Sequence, residues 1–126
     1  VCPTEIAAFA NLVDEFESRN AVVMGGSADN EFVKLAWRRD HADLDKLGMW
    51  QFADTTGSLI DSLGIRSDAG VPYRATYVVD PDGVVQHVYV NALAVGRNPN
   101  DTLRVLDGLQ TGELCGCNRQ PGEATL

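Results

Sequence analysis

Two short apolar runs rich in β-branched residues, 75–79 and 84–90, flank the sequence Asp80-Pro81-Asp82-Gly83. These four residues favour a tight turn, because proline fixes φ, aspartate binds nearby backbone and glycine tolerates a positive φ. The pattern therefore predicts an antiparallel hairpin, and its two strands are the clearest in the chain. Any fold of this sequence has to include that hairpin in its sheet.

Helical and strand patterns alternate before the hairpin. Residues 3–18 carry apolar side chains at helical spacing, and residues 21–24 form an apolar run that predicts a buried strand. Ser27 or Asp29 is expected to cap a second helix. The predicted apolar stripe of that helix consists of Phe32, Val33, Leu35, Ala36 and Trp37.

Weaker patterns predict a short strand around Trp50 and a short helix over residues 58–63, which Gly64 ends. After the hairpin, Asn98 or Asn100 leads into a last helix. This order predicts an α/β fold with a sheet of three or four strands. It begins with a helix that no strand precedes, and the first residue is not a methionine. We therefore expect the N-terminal part of the fold to be missing.

The composition limits the classes of function. With 126 residues, 44% of them hydrophobic, the chain can form one compact domain with a real core. A net charge of −8 with scattered basic residues argues against a nucleic acid partner. No apolar run approaches the roughly 18 residues of a membrane span, and no secretion signal is visible. We therefore expect a cytoplasmic protein without a membrane partner.

Three cysteines are an odd number in a chain too large to need a disulfide framework, which favours an intracellular redox or metal role. Cys115-Gly116-Cys117 offers two possible metal ligands, whereas a structural zinc site needs four. His41 and His87 each stand alone in the pattern. We therefore predict neither a metal site nor a cofactor.

Cys2 lies one residue before the first turn of the predicted N-terminal helix. The unpaired N–H groups and the positive end of the helix dipole stabilise a thiolate there, so Cys2 is a candidate nucleophile. Its position alone equally allows a free cysteine without a role. Glu5 takes the place of the second cysteine of a C-x-x-C dithiol, so the cycle of Cys2 has to end with an external thiol or with Cys115 or Cys117. A flexible tail without function is the alternative for those two.

Two arginines could assist such a thiolate, because a guanidinium keeps its charge at every working pH. Arg74 precedes the hairpin, where it could line a cleft at the end of a strand. Arg97, in the segment Val95-Gly96-Arg97-Asn98, gives an equally weak signal. Most arginines are solvated surface residues, so neither position is specific by itself.

Six segments carry a resemblance to known proteins, in order and at compatible spacing. They are Val1-Cys2-Pro3-Thr4-Glu5, Trp37-Arg38, Tyr73-Arg74-Ala75-Thr76, Val79-Asp80-Pro81-Asp82-Gly83, Val95-Gly96-Arg97-Asn98 and Glu113-Leu114-Cys115-Gly116-Cys117-Asn118. Together they resemble the typical two-cysteine peroxiredoxins, in particular the actinobacterial alkyl hydroperoxide reductase C type with a C-terminal C-x-C. The resemblance covers essentially the whole chain.

The resemblance implies a thioredoxin-like fold without its N-terminal strands. Residues 1–110 would form the peroxidase domain, and residues 111–126 a tail with the resolving cysteines. It also implies a thiol-dependent peroxidase that reduces hydrogen peroxide and organic hydroperoxides. Cys2 would be the peroxidatic cysteine, which becomes a sulfenic acid. Arg74 would stabilise its thiolate, Glu5 would orient Arg74, and Arg97 would contribute to substrate binding.

Cys115 would resolve the sulfenic acid across a dimer interface, and Cys117 would replace it or take over the disulfide by exchange. The implied partners are an external dithiol reductant, either thioredoxin or a small C-x-x-C protein, and further copies of the chain in a homodimer that assembles into a ring. The family's P-x-x-x-T-x-x-C pattern is incomplete before Cys2, so the chain alone is expected to be inactive. A chaperone-like holdase is the alternative function. A thioredoxin-like disulfide reductase is disfavoured, because Glu5 replaces its second cysteine.

Overall fold

The computed structural model describes residues 2–40 and 48–126, apart from the side chains of Cys2 and Trp37. His41, considered above as a metal ligand, lies outside the described residues. Helices and strands follow the predicted order, except that two helices take the place of the first one. The elements are α1 Cys2–Asn11, α2 Val13–Ser18, β1 Met24–Ser27, α3 Glu31–Asp40, β2 Trp50–Ala53, α4 Ser58–Leu63, β3 Arg74–Val79, β4 Val85–Asn91 and α5 Pro99–Thr111.

The single helix predicted over residues 3–18 is wrong, because the chain forms two helices there. Leu12 donates its N–H to the Phe9 carbonyl at 3.0 Å, three residues back, and this tighter turn separates α1 from α2. Val13 and Phe16 of α2 are buried, and the rings of Phe9 and Phe16 stack with centroids 6.3 Å apart. The bend therefore brings both helices onto one apolar cluster.

The predicted buried strand over residues 21–24 is also wrong. The strand β1 begins only at Met24, and the side chains of Val22 and Met24 are exposed. β1 pairs in parallel with β2, with Met24 opposite Trp50. Strand residues are buried where a second layer covers their face, and the face that carries Met24 and Trp50 is open.

The described residues do not form the predicted sheet of three or four strands. They form two separate sheets of two strands each, the parallel pair of β1 and β2 and the antiparallel hairpin of β3 and β4. Within the described ranges, no ladder of backbone hydrogen bonds joins the two pairs. The hairpin itself was predicted correctly.

The cap of α3 differs from the prediction. Asn30 accepts the Val33 N–H at 2.9 Å and is the capping residue. Ser27 and Asp29 are occupied elsewhere, because the Ser27 hydroxyl donates to Asp29 at 2.6 Å and the Lys34 ammonium lies 3.5 Å from the same carboxylate. Asp29, which was expected to cap the helix, therefore pairs with Lys34 in its first turn, and Ser27 binds Asp29.

Most of the predicted apolar stripe of α3 is exposed. Phe32, Val33, Leu35 and Ala36 are exposed, whereas Lys34 is buried, and the side chain of Trp37 lies outside the described residues. Arg38 attaches α3 to the next strand, because its Nε donates to the Gln51 side chain at 2.9 Å. Polar contacts of Arg38 and Lys34 therefore hold this helix against its neighbours.

Two shorter predictions are confirmed. α4 spans the predicted residues, and Gly64 follows it with φ of 69°, in the left-handed region that glycine tolerates. α5 is capped by Asn98, whose side chain accepts the Asp101 N–H at 3.1 Å. Of the helices described here, none combines the length and the apolar content that a membrane crossing requires.

The turn of the hairpin depends on Asp80. One carboxylate oxygen accepts the N–H groups of Asp82 at 3.0 Å and Val84 at 2.9 Å, and the other accepts the Gln86 amide at 2.9 Å. Gly83 completes the turn with φ of 81°. The Gln86 amide, followed by the Val84 N–H, lowers the pKa of Asp80 because these bonds favour the ionised form.

We expect Asp80→Asn to lose stability in a pH-dependent way. Because the folded pKa of Asp80 is lowered, its contribution is complete above the ordinary carboxyl pKa of about 3.9 and is lost as the pH falls through the folded value. The difference in unfolding free energy between the protein and the variant should therefore shrink in acid, as measured by urea titrations at several pH values. Asp82→Asn is the matched control, because no side-chain bond of Asp82 is present among the described residues. A difference that grows in acid would contradict the assignment.

Candidate functional site

A buried carboxylate lies at the centre of the candidate site. Glu5, in the first turn of α1, is 6% exposed. Its Oε1 accepts a hydrogen bond from Arg74 Nη1 at 2.7 Å, and its Oε2 accepts from Arg97 Nη1 at 2.9 Å. The backbone N–H of Arg97 donates to the same Oε2 at 2.7 Å. The predicted ion pair of Glu5 and Arg74 is thus present, and Arg97 joins it with two groups.

Arg74 is fixed from two sides. It is the first residue of β3, and its side chain is only 13% exposed. While Nη1 binds Glu5, Nε donates to the Leu93 carbonyl at 2.6 Å. A guanidinium with two of its nitrogens engaged in this way has a defined plane and direction.

Arg97 is fixed by the chain that surrounds it. It precedes Asn98, the cap of α5, so the start of that helix sets the backbone position of Arg97. Its Nε donates to the Ala75 carbonyl at 3.0 Å, which ties the side chain to β3. Arg97 therefore links the hairpin, the last helix and Glu5.

The charges of the site favour an anion at the N-terminus of α1. Two guanidinium groups, those of Arg74 and Arg97, bind the single carboxylate of Glu5. The helix begins at Cys2, three residues before Glu5, and its dipole adds partial positive charge at that end. A thiolate is stabilised in such an environment. The arrangement can thus activate a cysteine at the start of α1.

The structure does not bring the tail cysteines to this site. Cys115 and Cys117 are exposed free thiols, and the Cys115 sulfur lies 3.8 Å from the Gly108 carbonyl, near the far end of α5. The segment of α1 and α2 runs in the same direction as α5, because Glu5 binds Arg97 at the start of both and Gln110 donates to the Arg19 carbonyl at their ends. The ten residues from Asn98 to Gly108 span about 15 Å along the helix. Cys115 therefore lies near the opposite end of α5 from Glu5.

The tail after α5 packs against that helix. Arg119 donates to the Asp107 carboxylate at 3.0 Å, and the N–H of Leu126 donates to the Leu114 carbonyl at 2.8 Å. A cavity of about 420 Å³ remains between α5 and the tail, and Cys115 is part of its lining. The tail therefore has its own set of contacts, separate from the site around Glu5.

The histidines do not contribute a metal site within the described residues. His87 lies on β4 and stacks on Tyr89 with ring centroids 6.5 Å apart. No group of three or more His, Cys, Asp or Glu side chains in residues 2–40 and 48–126 is arranged to hold a metal ion.

Sequence reasoning missed three backbone groups of the site. They are the carbonyls of Leu93 and Ala75 and the N–H of Arg97. Backbone groups are the same in every residue type, so no residue identity indicates them. One signal for the Arg97 N–H was its position immediately before Asn98, a predicted cap of the last helix, where backbone N–H groups are not used within the helix.

Comparison with known proteins agrees with the geometry. The AhpC/TSA family matches residues 1–88 of the sequence. The chain belongs to the AhpC/TSA family. The alkyl hydroperoxide reductase C of Mycolicibacterium smegmatis is 49% identical to this AhpC/TSA chain over 126 residues, all of the chain and 65% of that protein. The chain thus spans less than two thirds of the length of this relative.

Solved structures show the same relationship for the AhpC/TSA fold. Mycobacterium tuberculosis AhpC superposes with a TM-score of 0.84 at 46% identity, covering 92% of this chain and 65% of that one. A reduced 2-Cys peroxiredoxin of Plasmodium vivax superposes with a TM-score of 0.89 at 33% identity, covering 98% of this chain and 67% of that one. The predicted thioredoxin-like peroxiredoxin fold and the resemblance to alkyl hydroperoxide reductase C are confirmed.

We expect Glu5→Gln to destabilise the AhpC/TSA chain strongly. The substitution keeps the shape but leaves two largely buried arginines without their carboxylate, which costs about 3 kcal/mol in comparable buried pairs. Glu15→Gln is the matched control, because Glu15 is 57% exposed and its pair with Arg19 should contribute less than about 1 kcal/mol. Urea denaturation of both variants measures the difference. Equal losses would show that the buried cluster is not a stabilising unit.

Proposed function

We propose that the protein containing this chain is a thiol-dependent peroxidase that reduces hydrogen peroxide and organic hydroperoxides. One observation carries the proposal: Arg74 is fixed by Glu5 and by the Leu93 carbonyl beside the first turn of the helix that Cys2 begins. Relatives named alkyl hydroperoxide reductase C and peroxiredoxin support it.

The proposed reaction begins with the Cys2 thiolate. Its sulfur attacks one oxygen of the peroxide, an S–O bond forms and the O–O bond breaks. The cysteine is oxidised to a sulfenic acid, and the departing oxygen takes up a proton to become water or an alcohol. The helix N-terminus and the guanidinium groups of Arg74 and Arg97 favour the thiolate that this step needs.

Arg74 is proposed to act on both the thiolate and the peroxide. Negative charge moves from sulfur to the departing oxygen during the reaction, so a fixed guanidinium binds the transition state more strongly than the substrate. Its fixed direction matters, because donors that are already oriented need no rearrangement as the charge moves. Arg97 is proposed to contribute to substrate binding, and Glu5 to orient both arginines.

Cys115 is proposed to resolve the sulfenic acid, with formation of a disulfide and release of water. A disulfide requires Cα atoms within about 7 Å, whereas Cys115 lies near the opposite end of α5 from the site. This separation supports resolution by a second copy of the chain. Cys117 then takes over the disulfide by exchange, and an external dithiol reduces it. That dithiol is thioredoxin or a small C-x-x-C protein.

The wider assignments are proposals of the same kind. We propose a homodimer that assembles into a ring, a cytoplasmic location, and a division into a peroxidase domain of residues 1–110 and a tail of residues 111–126. The end of α5 at Thr111 is consistent with that division. No observation favours the chaperone-like alternative.

Turnover should depend entirely on Cys2. In the full-length protein, assayed with hydrogen peroxide and a thioredoxin system, Cys2→Ser should abolish peroxide consumption because serine cannot form a sulfenic acid. The double variant Cys115→Ser with Cys117→Ser is the matched control, and it should still consume one equivalent of peroxide per chain. Full turnover by Cys2→Ser would refute the peroxidase assignment.

The two tail thiols should be partly interchangeable. Cys115→Ser alone should keep a reduced rate of turnover, because Cys117 lies one residue away on the same exposed segment. Non-reducing electrophoresis after one equivalent of peroxide should then show an intersubunit disulfide through Cys117. Complete loss of the disulfide in Cys115→Ser would show that only Cys115 resolves.

A further inference from the structure

The loop between β4 and α5, residues 92–97, supplies backbone groups to both charged partners of the site. The Leu93 carbonyl accepts the Arg74 Nε–H at 2.6 Å, and the Arg97 N–H donates to Glu5 at 2.7 Å. The position of Arg74 therefore depends on the shape of a short loop, in addition to its own strand.

The two ends of this loop are anchored in regular structure. Asn91 is the last residue of β4 and lies directly opposite Arg74 in the hairpin register. Asn98 is the cap of α5. Between them, one backbone bond, from the Val95 N–H to the Ala92 carbonyl at 3.1 Å, forms a turn.

A side-chain bond closes the base of the loop. Asn91 Nδ2 donates to the Gly96 carbonyl at 2.8 Å in a partly buried position. Residues 92–96 are Ala, Leu, Ala, Val and Gly, none of which has a polar side chain. The segment therefore has no side chain of its own that could close it, and the flanking Asn91 provides that bond.

We propose that Asn91 is a positioning residue of the site. Its amide sets the distance between the two ends of the loop, and so places the Leu93 carbonyl for Arg74 and the Arg97 N–H for Glu5. Loss of the amide frees the loop to move while its ends stay anchored, and the Leu93 carbonyl is then no longer held in place for the Arg74 guanidinium. The effect on Cys2 rests on the proposed function, whereas the effect on the loop does not.

The test compares Asn91→Ala and Asn91→Leu with Asn100→Ala in the full-length protein. Leucine keeps the approximate size of asparagine without an N–H donor, so it separates the hydrogen bond from packing. Asn100 is exposed in the first turn of α5 and has no side-chain bond among the described residues, which makes it a matched control. Amide hydrogen exchange at Arg97 should become faster in both Asn91 variants and stay unchanged in Asn100→Ala. Unchanged exchange in the Asn91 variants would overturn the proposal.

The second readout is the pKa of Cys2, from the pH dependence of its alkylation with Cys115 and Cys117 replaced by Ser. Both Asn91 variants should raise this pKa by about one unit. At pH values well below the pKa, the fraction of Cys2 present as thiolate should then fall about tenfold. With Arg74→Gln already present, Asn91→Ala should change the thiolate fraction less than twofold, because it acts through Arg74. If Asn91→Ala shifted the Cys2 pKa equally with Arg74 and with Arg74→Gln, or did not shift it with Arg74 present, the proposal would be overturned.

The alkylation assay does not depend on peroxide turnover. If the protein showed these pKa shifts but no peroxidase activity, only the proposed function would be refuted.

Discussion

The buried carboxylate of Glu5 is the contact on which the site depends. It binds Arg74, 69 residues away in the sequence, and Arg97, 92 residues away. A buried ion is strongly unfavourable unless its partners are in place. The first helix, the hairpin and the start of the last helix therefore have to come together for any of them to bury these side chains. Folding and assembly of the site are one event.

Local signals predicted the elements whose limits are set within a few residues. The hairpin follows from Asp80 and Gly83, and the end of α4 follows from Gly64. Two local features were missed, the break between α1 and α2 and the cap of α3, and the other failures concern burial and pairing. Phe32 in α3 and Met24 in β1 lie in segments that are apolar in sequence, yet both side chains are exposed, because burial depends on what packs over a face. No pattern within a helix or strand contains that information.

The site was predictable in its charged side chains and not in its geometry. Glu5, Arg74 and Arg97 were identified through family resemblance, since residue types and spacing alone were weak signals. The carbonyls and the N–H that fix the arginines were invisible, because backbone groups have no residue identity. The separation of Cys115 from the site also depends on the direction of α5, which the sequence does not specify.

The placement of Cys115 near the far end of α5 has a kinetic consequence under the proposed chemistry. Oxidation of Cys2 needs only one chain and a peroxide, whereas resolution needs a second chain or a large rearrangement. The two steps therefore have independent rate constants, and the lifetime of the sulfenic acid depends on the fraction of chains that are paired with a second chain. Under the proposed chemistry, a protein diluted until its chains separate would keep its sulfenic acid long enough for a second peroxide to oxidise it further, so self-association would limit overoxidation of Cys2.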